Sequence, residues 1–165
     1  MNLIIMRPVT LIYCLRNNMV LLGMKKRGFG KDKLNGYGGK VHEEESIVAG
    51  AARELLEEAN IRSKENDFVK VAEIDFFFPE VPKEKDWEQT VHVFFLKKWV
   101  GEPEETEEMK PEWHDINNLP MDKMWIDDTH WLPLVFQGKK LKASFYFGKD
   151  GDSLLKHTIE LVDSF

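Results

Sequence analysis

Residues Gly39 to Ile61 read GKVHEEESIVAGAARELLEEANI. From Ser46 to Ala59 the apolar positions Val48, Ala52, Leu55, Leu56 and Ala59 recur at about 100° per residue, which predicts one amphipathic helix. Ser46 stands where it can cap the first turn. Glu54, Glu57 and Glu58 are spaced i, i+3, i+4, so they share the opposite side. Like charges at that spacing repel, costing an isolated helix a few tenths of a kcal/mol per pair. A divalent cation reverses the sign of that argument. Hard oxygens gathered on one face are the donor set of Mg²⁺ or Mn²⁺. Gly50, one turn before Glu54, leaves room for backbone or ligand to approach. Arg53 lies beside the acidic cluster and can orient a glutamate by a two-point pair.

Outward toward the N-terminus, KKRGFGKDKLNGYGGK spans Lys25 to Lys40 and contains five glycines. That composition predicts a loop with tight turns. Its end, Gly36 to Lys40, can bring backbone N–H groups and Lys40 to the edge carrying the glutamates. Thr10–Leu15 and Met19–Met24 read as strands joined at Arg16-Asn17-Asn18. The apolar start, MNLIIMRPVTLIYCL, is broken by Arg7 and Pro8. No small-residue cleavage site follows, so a first strand is expected rather than a secretion signal.

Beyond the helix, Val69–Phe78 and Thr90–Val100 read as strands around a long charged hairpin loop, Pro79 to Gln89. Gly101 to Lys110 reads as an acidic loop, and Asp115–Leu119 as a turn or helix start. Asp127–Phe136 reads as a second helix, weakened by Pro133. Lys140–Phe147 and Lys156–Val162 read as a final hairpin. Strands on both sides of a central helix imply a mixed α/β (α+β) architecture in one domain covering residues 1–165.

Composition narrows the function. The 165 residues suit a single domain. A net charge of -6 offers no basic stripe for a nucleic-acid polymer, although a small anion held through a metal remains open. Cys14 is the single cysteine and is expected to be an inert core thiol. No apolar run has membrane-spanning length, so no membrane partner is expected. A reducing, cytoplasmic location and a monomer are expected. His42, His92, His114, His130 and His157 show no zinc-ligand spacing.

The run from Gly39 resembles the signature of the Nudix hydrolases, G-x5-E-x7-R-E-U-x-E-E-x-G-U with U apolar. Gly39, Glu45, Arg53, Glu54, Glu57 and Glu58 all match. A chance match of six such letters has a probability of about 10⁻⁷ per start position. Asn60 replaces the final Gly, and Asn is the next most tolerant residue of a left-handed helix end. Outside the motif, Leu21–Gly30, Leu34–Val41, Glu107–Pro111, Met124–Asp128 and Gln137–Asp163 resemble the animal oxidised-purine nucleoside triphosphatases. These MutT-type enzymes clear 8-oxo-dGTP and 2-hydroxy-dATP.

The resemblance implies a mixed sheet between helices and Mg-dependent (or Mn-dependent) hydrolysis of a nucleoside triphosphate to monophosphate and pyrophosphate. It implies metal binding by Glu54, Glu57, Glu58 and Glu108, with Gly38 at the same site. Glu45 would support Arg53 or the metal shell. The catalytic set is then Glu54, Glu57, Arg53 and Glu45, and the general base stays open between Glu54 and Glu57, with Glu108 behind them. It implies a base pocket in which Asn35 hydrogen-bonds the purine, Trp125 stacks on it and Asp127 and Asp128 face its edge. Thr10, Lys25, Phe29, Phe76 and Phe78 would line the cleft, with Gly38, Gly39 and Lys40 toward the phosphates. One carboxyl of the close Asp pair is expected to stay protonated, so that the pair both donates and accepts. Of Phe76, Phe77 and Phe78, alternation should leave at least one in the core.

The sequence departs from the animal enzymes at Leu34, where they carry Trp, at Gln89, where they carry Met, and in a longer 79–89 loop. Two other readings therefore stay open: hydrolysis of other (d)NTPs or alkylated purine nucleotides, and a non-catalytic nucleotide-binding module.

Overall fold

The computed structural model describes residues 6–165; residues 1–5 of the expected first strand lie outside the described residues. The elements are β1 (Arg7–Arg16), β2 (Met19–Lys25), β3 (Leu34–Asn35), α1 (Ile47–Ala59), β4 (Phe68–Phe77), β5 (Gln89–Leu96), β6 (Met109–Asp115), α2 (Asp128–Phe136), β7 (Lys140–Phe147) and β8 (Leu154–Val162).

All eight strands form one mixed sheet in the order β3-β2-β1-β5-β4-β7-β8, and β6 pairs with β2. The pairs β1–β5 and β4–β7 are parallel and the rest antiparallel. β1 and β2 pair only from Cys14–Arg16 to Met19–Leu21. Beyond that they part, and residues 34–41 fill the gap. Tyr37 exchanges backbone hydrogen bonds with Ile12, the Thr10 amide donates to the Gly39 carbonyl at 2.9 Å, and the Val41 amide donates to the Pro8 carbonyl at 3.1 Å. This wedge opens the sheet into a cleft.

The helices cover opposite faces. Ala51, Leu55 and Ala59 of α1 pack on Ile12, Cys14, Leu21, Phe94 and Leu96. Trp131, Leu132 and Val135 of α2 pack on Tyr13, Leu22, Ile74, Val93 and Phe145. Strand alternation sends neighbours such as Ile12 and Tyr13 to different faces. Truncating a fully buried leucine such as Leu55 to Ala would cost about 2–5 kcal/mol.

The sheet between helices matches expectation, with local corrections. Leu56 is 37% exposed, because the stripe that meets the sheet runs 51–55–59 and leaves Leu56 at its margin. The acidic segment read as loop to Lys110 gives way to β6 at Met109, and Asp115 ends that strand before a turn. Pro111 and the flanking charges hid β6; as an edge strand it tolerates both. β5 stops at Leu96, and Val100 instead makes an isolated bridge with Arg62. As alternation required, one of the three phenylalanines, Phe78, is in the core, while Phe77 lies on the face away from Phe76 and Phe78 and stacks half-buried on Tyr146 at 4.7 Å. Phe76 and Phe78 pack on the α2 side. Among the described residues no helix is long and apolar enough to cross a membrane.

Candidate active site

Helix α1 places the acidic cluster at the cleft. The Ser46 hydroxyl caps its start by accepting from the Ala49 amide at 3.1 Å. Asn60 ends it in the left-handed conformation (φ 57°, ψ 33°), as expected for a substitute for glycine. At about 100° per residue, Glu58 falls beside the buried stripe, Glu54 next and Glu57 farthest out. Burial follows that phase: Glu54 is 16% exposed and Glu57 is 57% exposed. Burial pushes the Glu58 carboxyl up to about 8, with the charges of Glu54 and Glu108 adding to the rise. Burial also raises Glu54.

Arg53 organises the remaining carboxylates. Its Nε donates to Glu45 Oε2 at 3.1 Å and its Nη2 to Glu45 Oε1 at 2.7 Å. Its Nη1 reaches Glu54 Oε1 at 3.2 Å and Glu57 Oε2 at 3.3 Å, and its Nη2 also donates to the Lys40 carbonyl at 3.0 Å. Glu45 accepts from the His42 amide at 2.9 Å as well. The Arg53 hydrogen bonds hold the Glu45 carboxyl down to about 2. Gly50 makes room for this pair rather than for a ligand: a Cβ there would lie 3.0 Å from Glu45 Oε1.

The wedge loop meets the helix at its glycines. The Gly38 amide donates to Glu58 Oε1 at 2.9 Å. A Cβ at Gly38 would meet the Thr10 carbonyl oxygen at 1.9 Å, and one at Gly39 would meet Glu54 Cδ at 2.6 Å. Thr10 Oγ1 and the Gly39 backbone hold each other at 3.3 Å.

A cavity of about 490 Å³ runs from Glu58 to the start of α2. Its walls bring together all twelve residues expected to touch substrate: Thr10, Lys25, Phe29, Asn35, Gly38, Gly39, Lys40, Phe76, Phe78, Trp125, Asp127 and Asp128. Asn35 Oδ1 accepts from the Gly36 amide at 2.9 Å and the Tyr13 hydroxyl at 3.3 Å, which leaves its Nδ2 hydrogens for a ligand. Trp125 packs against Phe29 with ring centres 5.2 Å apart and planes tilted by 34°, and Lys33 Nζ lies 5.0 Å from its ring.

Asp127 and Asp128 are both buried, and burial pushes Asp127 up to about 6. Asp128 rises further through burial and the neighbouring Asp127 charge. Asp127 Oδ2 accepts from Trp131 Nε1 at 2.9 Å, whereas Asp128 Oδ2 is buried with no partner among the described residues. A buried carboxyl oxygen without a partner, at the wall of such a cavity, is a hydrogen-bonding atom held ready for a ligand.

The rest of the acidic set is dispersed. Glu108 pairs with Arg27, whose Nε lies 3.0 Å from Oε1. That pair holds the Glu108 carboxyl below the usual carboxylate range, while its charge is close enough to raise Glu58. Among the described residues no three His, Cys, Asp or Glu side chains converge at metal-ligating distance. The donor chemistry still fits Mg²⁺ or Mn²⁺. Glu54 and Glu58 are hard-oxygen groups held at a partly buried edge with raised pKa values, and a divalent cation relieves both desolvation and mutual repulsion.

Sequence reasoning missed several cavity residues. Arg7, Lys33, Trp87 and Trp131 also line it. Trp87 sits in the charged loop, and nothing in its spacing marks it. Trp131 could have been found as the i+4 neighbour of Asp127.

A family model described as a NUDIX domain matches residues 6–135. The chain is 43% identical over 159 residues to the oxidized purine nucleoside triphosphate hydrolase of Mus musculus, covering 96% of this chain and 97% of the mouse protein. It is 40% identical over 155 residues to the protein of the same name from Danio rerio, covering 94% and 95%. Among solved structures it superposes on a MutT protein from Bacillus halodurans with a TM-score of 0.77 at 23% identity, over 93% of this chain and 97% of that one, a likeness of fold.

Proposed function

The chain belongs to the Nudix domain family, and from that premise we propose that it hydrolyses oxidised purine nucleoside triphosphates, 8-oxo-dGTP and 2-hydroxy-dATP, to the monophosphate and pyrophosphate. The observation that carries the reading is one cavity with Asp127, Asp128, Asn35 and Trp125 at one end and Glu58, Gly38 and Gly39 at the other. A purine and its phosphates need that separation of chemistries.

Trp125 offers a ring for base stacking. Asn35 offers donors. With Asp128 protonated and Asp127 closer to ionisation, the pair offers a donor and an acceptor, so it can read an 8-oxoguanine or a 2-hydroxyadenine edge. Lys25 and Lys40 bring positive charge toward the phosphates. Glu54, Glu57, Glu58 and Glu108 would hold Mg²⁺ (or Mn²⁺), with Gly38 beside them. When bound, the ion supplies positive charge against the triphosphate and makes its phosphorus more electrophilic. Arg53 and Glu45 position Glu54 and Glu57. Glu54 or Glu57, both held by Arg53, would take a proton from the attacking water, with Glu108 behind them. The proposed protein acts as a cytoplasmic monomer on a small-molecule nucleotide and needs neither nucleic-acid polymer nor membrane.

A second reading, a Nudix hydrolase of other or alkylated purine nucleotides, draws on Gln89, which stands on the cavity wall. Steady-state turnover of 8-oxo-dGTP against dGTP with Mg²⁺ separates the two. Preferential 8-oxo-dGMP and pyrophosphate supports the first. Equal or reversed preference keeps the hydrolase and sinks the oxidised-base assignment. No turnover with Mg²⁺ or Mn²⁺ sinks both.

A further inference from the structure

We propose that Trp87 is an affinity-determining wall of the base pocket and that Arg7 is the residue that positions it, by clamping Asp86. This rests on the reading of the cavity as a nucleobase site. Trp87 lies 5.1 Å from Phe29 and 5.4 Å from Phe78, ring centre to ring centre, and lines the cavity. Phe29 in turn lies 5.2 Å from Trp125. The rings of Trp87, Phe29 and Trp125 thus run in series across the cavity, with Phe29 56% exposed between the two indoles. A base entering beside Trp125 meets a second indole that the family signature does not contain.

The loop carrying Trp87 is built to hold it there. A 3-10 turn over Lys83–Lys85 ends at Asp86, which adopts the left-handed conformation (φ 54°), and the next residue, Trp87, lines the cavity. Arg7 Nη1 donates to Asp86 Oδ2 at 3.0 Å, and Nη2 donates to the Asp86 carbonyl. One guanidinium therefore grips both side chain and main chain of the residue before Trp87, a geometry lysine cannot reproduce. Arg7 is 25% exposed and its Nε is buried, so little of this guanidinium is left for solvent. Two further ties hold the loop ends: the Phe78 amide to Glu88 at 3.3 Å and the Lys149 amide to Glu80 at 3.2 Å. An aromatic fixed in place before binding adds stacking area without an ordering cost at the moment of binding.

The test is calorimetric binding of the product monophosphates 8-oxo-dGMP and dGMP, with kcat and KM for the triphosphates alongside. Trp87→Ala should weaken 8-oxo-dGMP binding about tenfold and Trp87→Phe should recover most of it. KM should rise with Trp87→Ala while kcat stays within about twofold. Arg7→Met, which frees both the side chain and the carbonyl of Asp86 and keeps the indole, should weaken binding severalfold; Asp86→Asn, which leaves the carbonyl contact, should weaken it less, and the double variant no more than Arg7→Met alone. Arg7→Lys should restore only part. Unchanged monophosphate affinity in Trp87→Ala overturns the proposal. So does a loss confined to kcat. If Trp87→Ala does not fold, additive losses, or none, in the Arg7 and Asp86 variants overturn it. If the wild type binds dGMP as tightly as 8-oxo-dGMP, the oxidised-base reading fails, and Trp87 stands or falls on dGMP affinity. If it binds neither, both fall.

Discussion

Trp131 Nε1 donates to Asp127 Oδ2 at 2.9 Å, one helical turn away, while Asp128 Oδ2 beside it has no partner among the described residues. Two adjacent carboxyls thus enter one cavity with different electrostatics. Folding raises both pKa values, so the neutral forms are favoured in the native state. Their stabilising contribution is complete below the unfolded value near 3.8 and is lost as pH rises, through about 6 for Asp127 and higher for Asp128. The wild type should therefore lose more Tm than Asp128→Asn between pH 5 and pH 8, and the variant should shift selectivity between 8-oxo-dGTP and 2-hydroxy-dATP. Parallel Tm profiles would sink the electrostatic reading.

Glu58 makes a second pH prediction. Its carboxyl, raised to about 8, contributes stability below the unfolded value near 4.5 that fades as pH passes about 8. Metal-free Glu58→Gln should gain stability relative to wild type above that pH. Mg²⁺ at 100 times its dissociation constant should stabilise wild type by about 2.7 kcal/mol, and chelation should remove the gain. Thermal unfolding with Mg²⁺ and with chelator checks both, and a Glu58→Gln variant that keeps the full metal response would refute the assignment.

Arg53 should not tolerate lysine. The guanidinium forks onto Glu45 and still reaches Glu54, Glu57 and the Lys40 carbonyl, which a point charge cannot do. Arg53→Lys should fold and lose roughly 10–100-fold in activity, the scale seen when residues that orient metal ligands are removed. Glu45→Gln should move in the same direction. Steady-state rates paired with circular dichroism test this, and full activity in Arg53→Lys would count against the positioning role.

The two glycines of the wedge should fail differently. At Gly38 an added methyl meets the Thr10 backbone, which cannot give way, so Gly38→Ala should destabilise by about 1–3 kcal/mol. At Gly39 it meets the Glu54 side chain, which can swing aside. Gly39→Ala should keep its Tm and lose activity. Equal Tm losses in the two variants would contradict the geometry.

Much of this was legible in the chain. The six matched letters of the Gly39–Ile61 run, the helix they define and its left-handed Asn60 end follow from local rules of spacing and capping. The separation of Glu58, Glu54 and Glu57 by burial was not legible, because the three read as sharing one side away from the apolar stripe. β6 was not legible, because Pro111 and its acidic neighbours obscure strand alternation at an edge where the missing hydrogen bond costs nothing. Gly50 reads as space for backbone or ligand, yet its neighbour is the Glu45 side chain, which only the fold of residues 41–45 back onto α1 brings there.

By itself the sequence determined the helix, its acidic face and the Arg53 beside it, since these depend on residues within a few turns of one another. Only the tertiary structure decided how far Glu58 is buried, that Asp128 Oδ2 has no partner among the described residues, and that Trp87 faces Phe29 under the grip of Arg7, 79 residues from Asp86. It also brought the His130 and His157 rings to 4.3 Å without any spacing to announce them. Burial and long-range pairing are properties of the packed chain. They arise when the splayed β1 and β2 strands admit the 34–41 wedge and two helices close on opposite faces of the sheet.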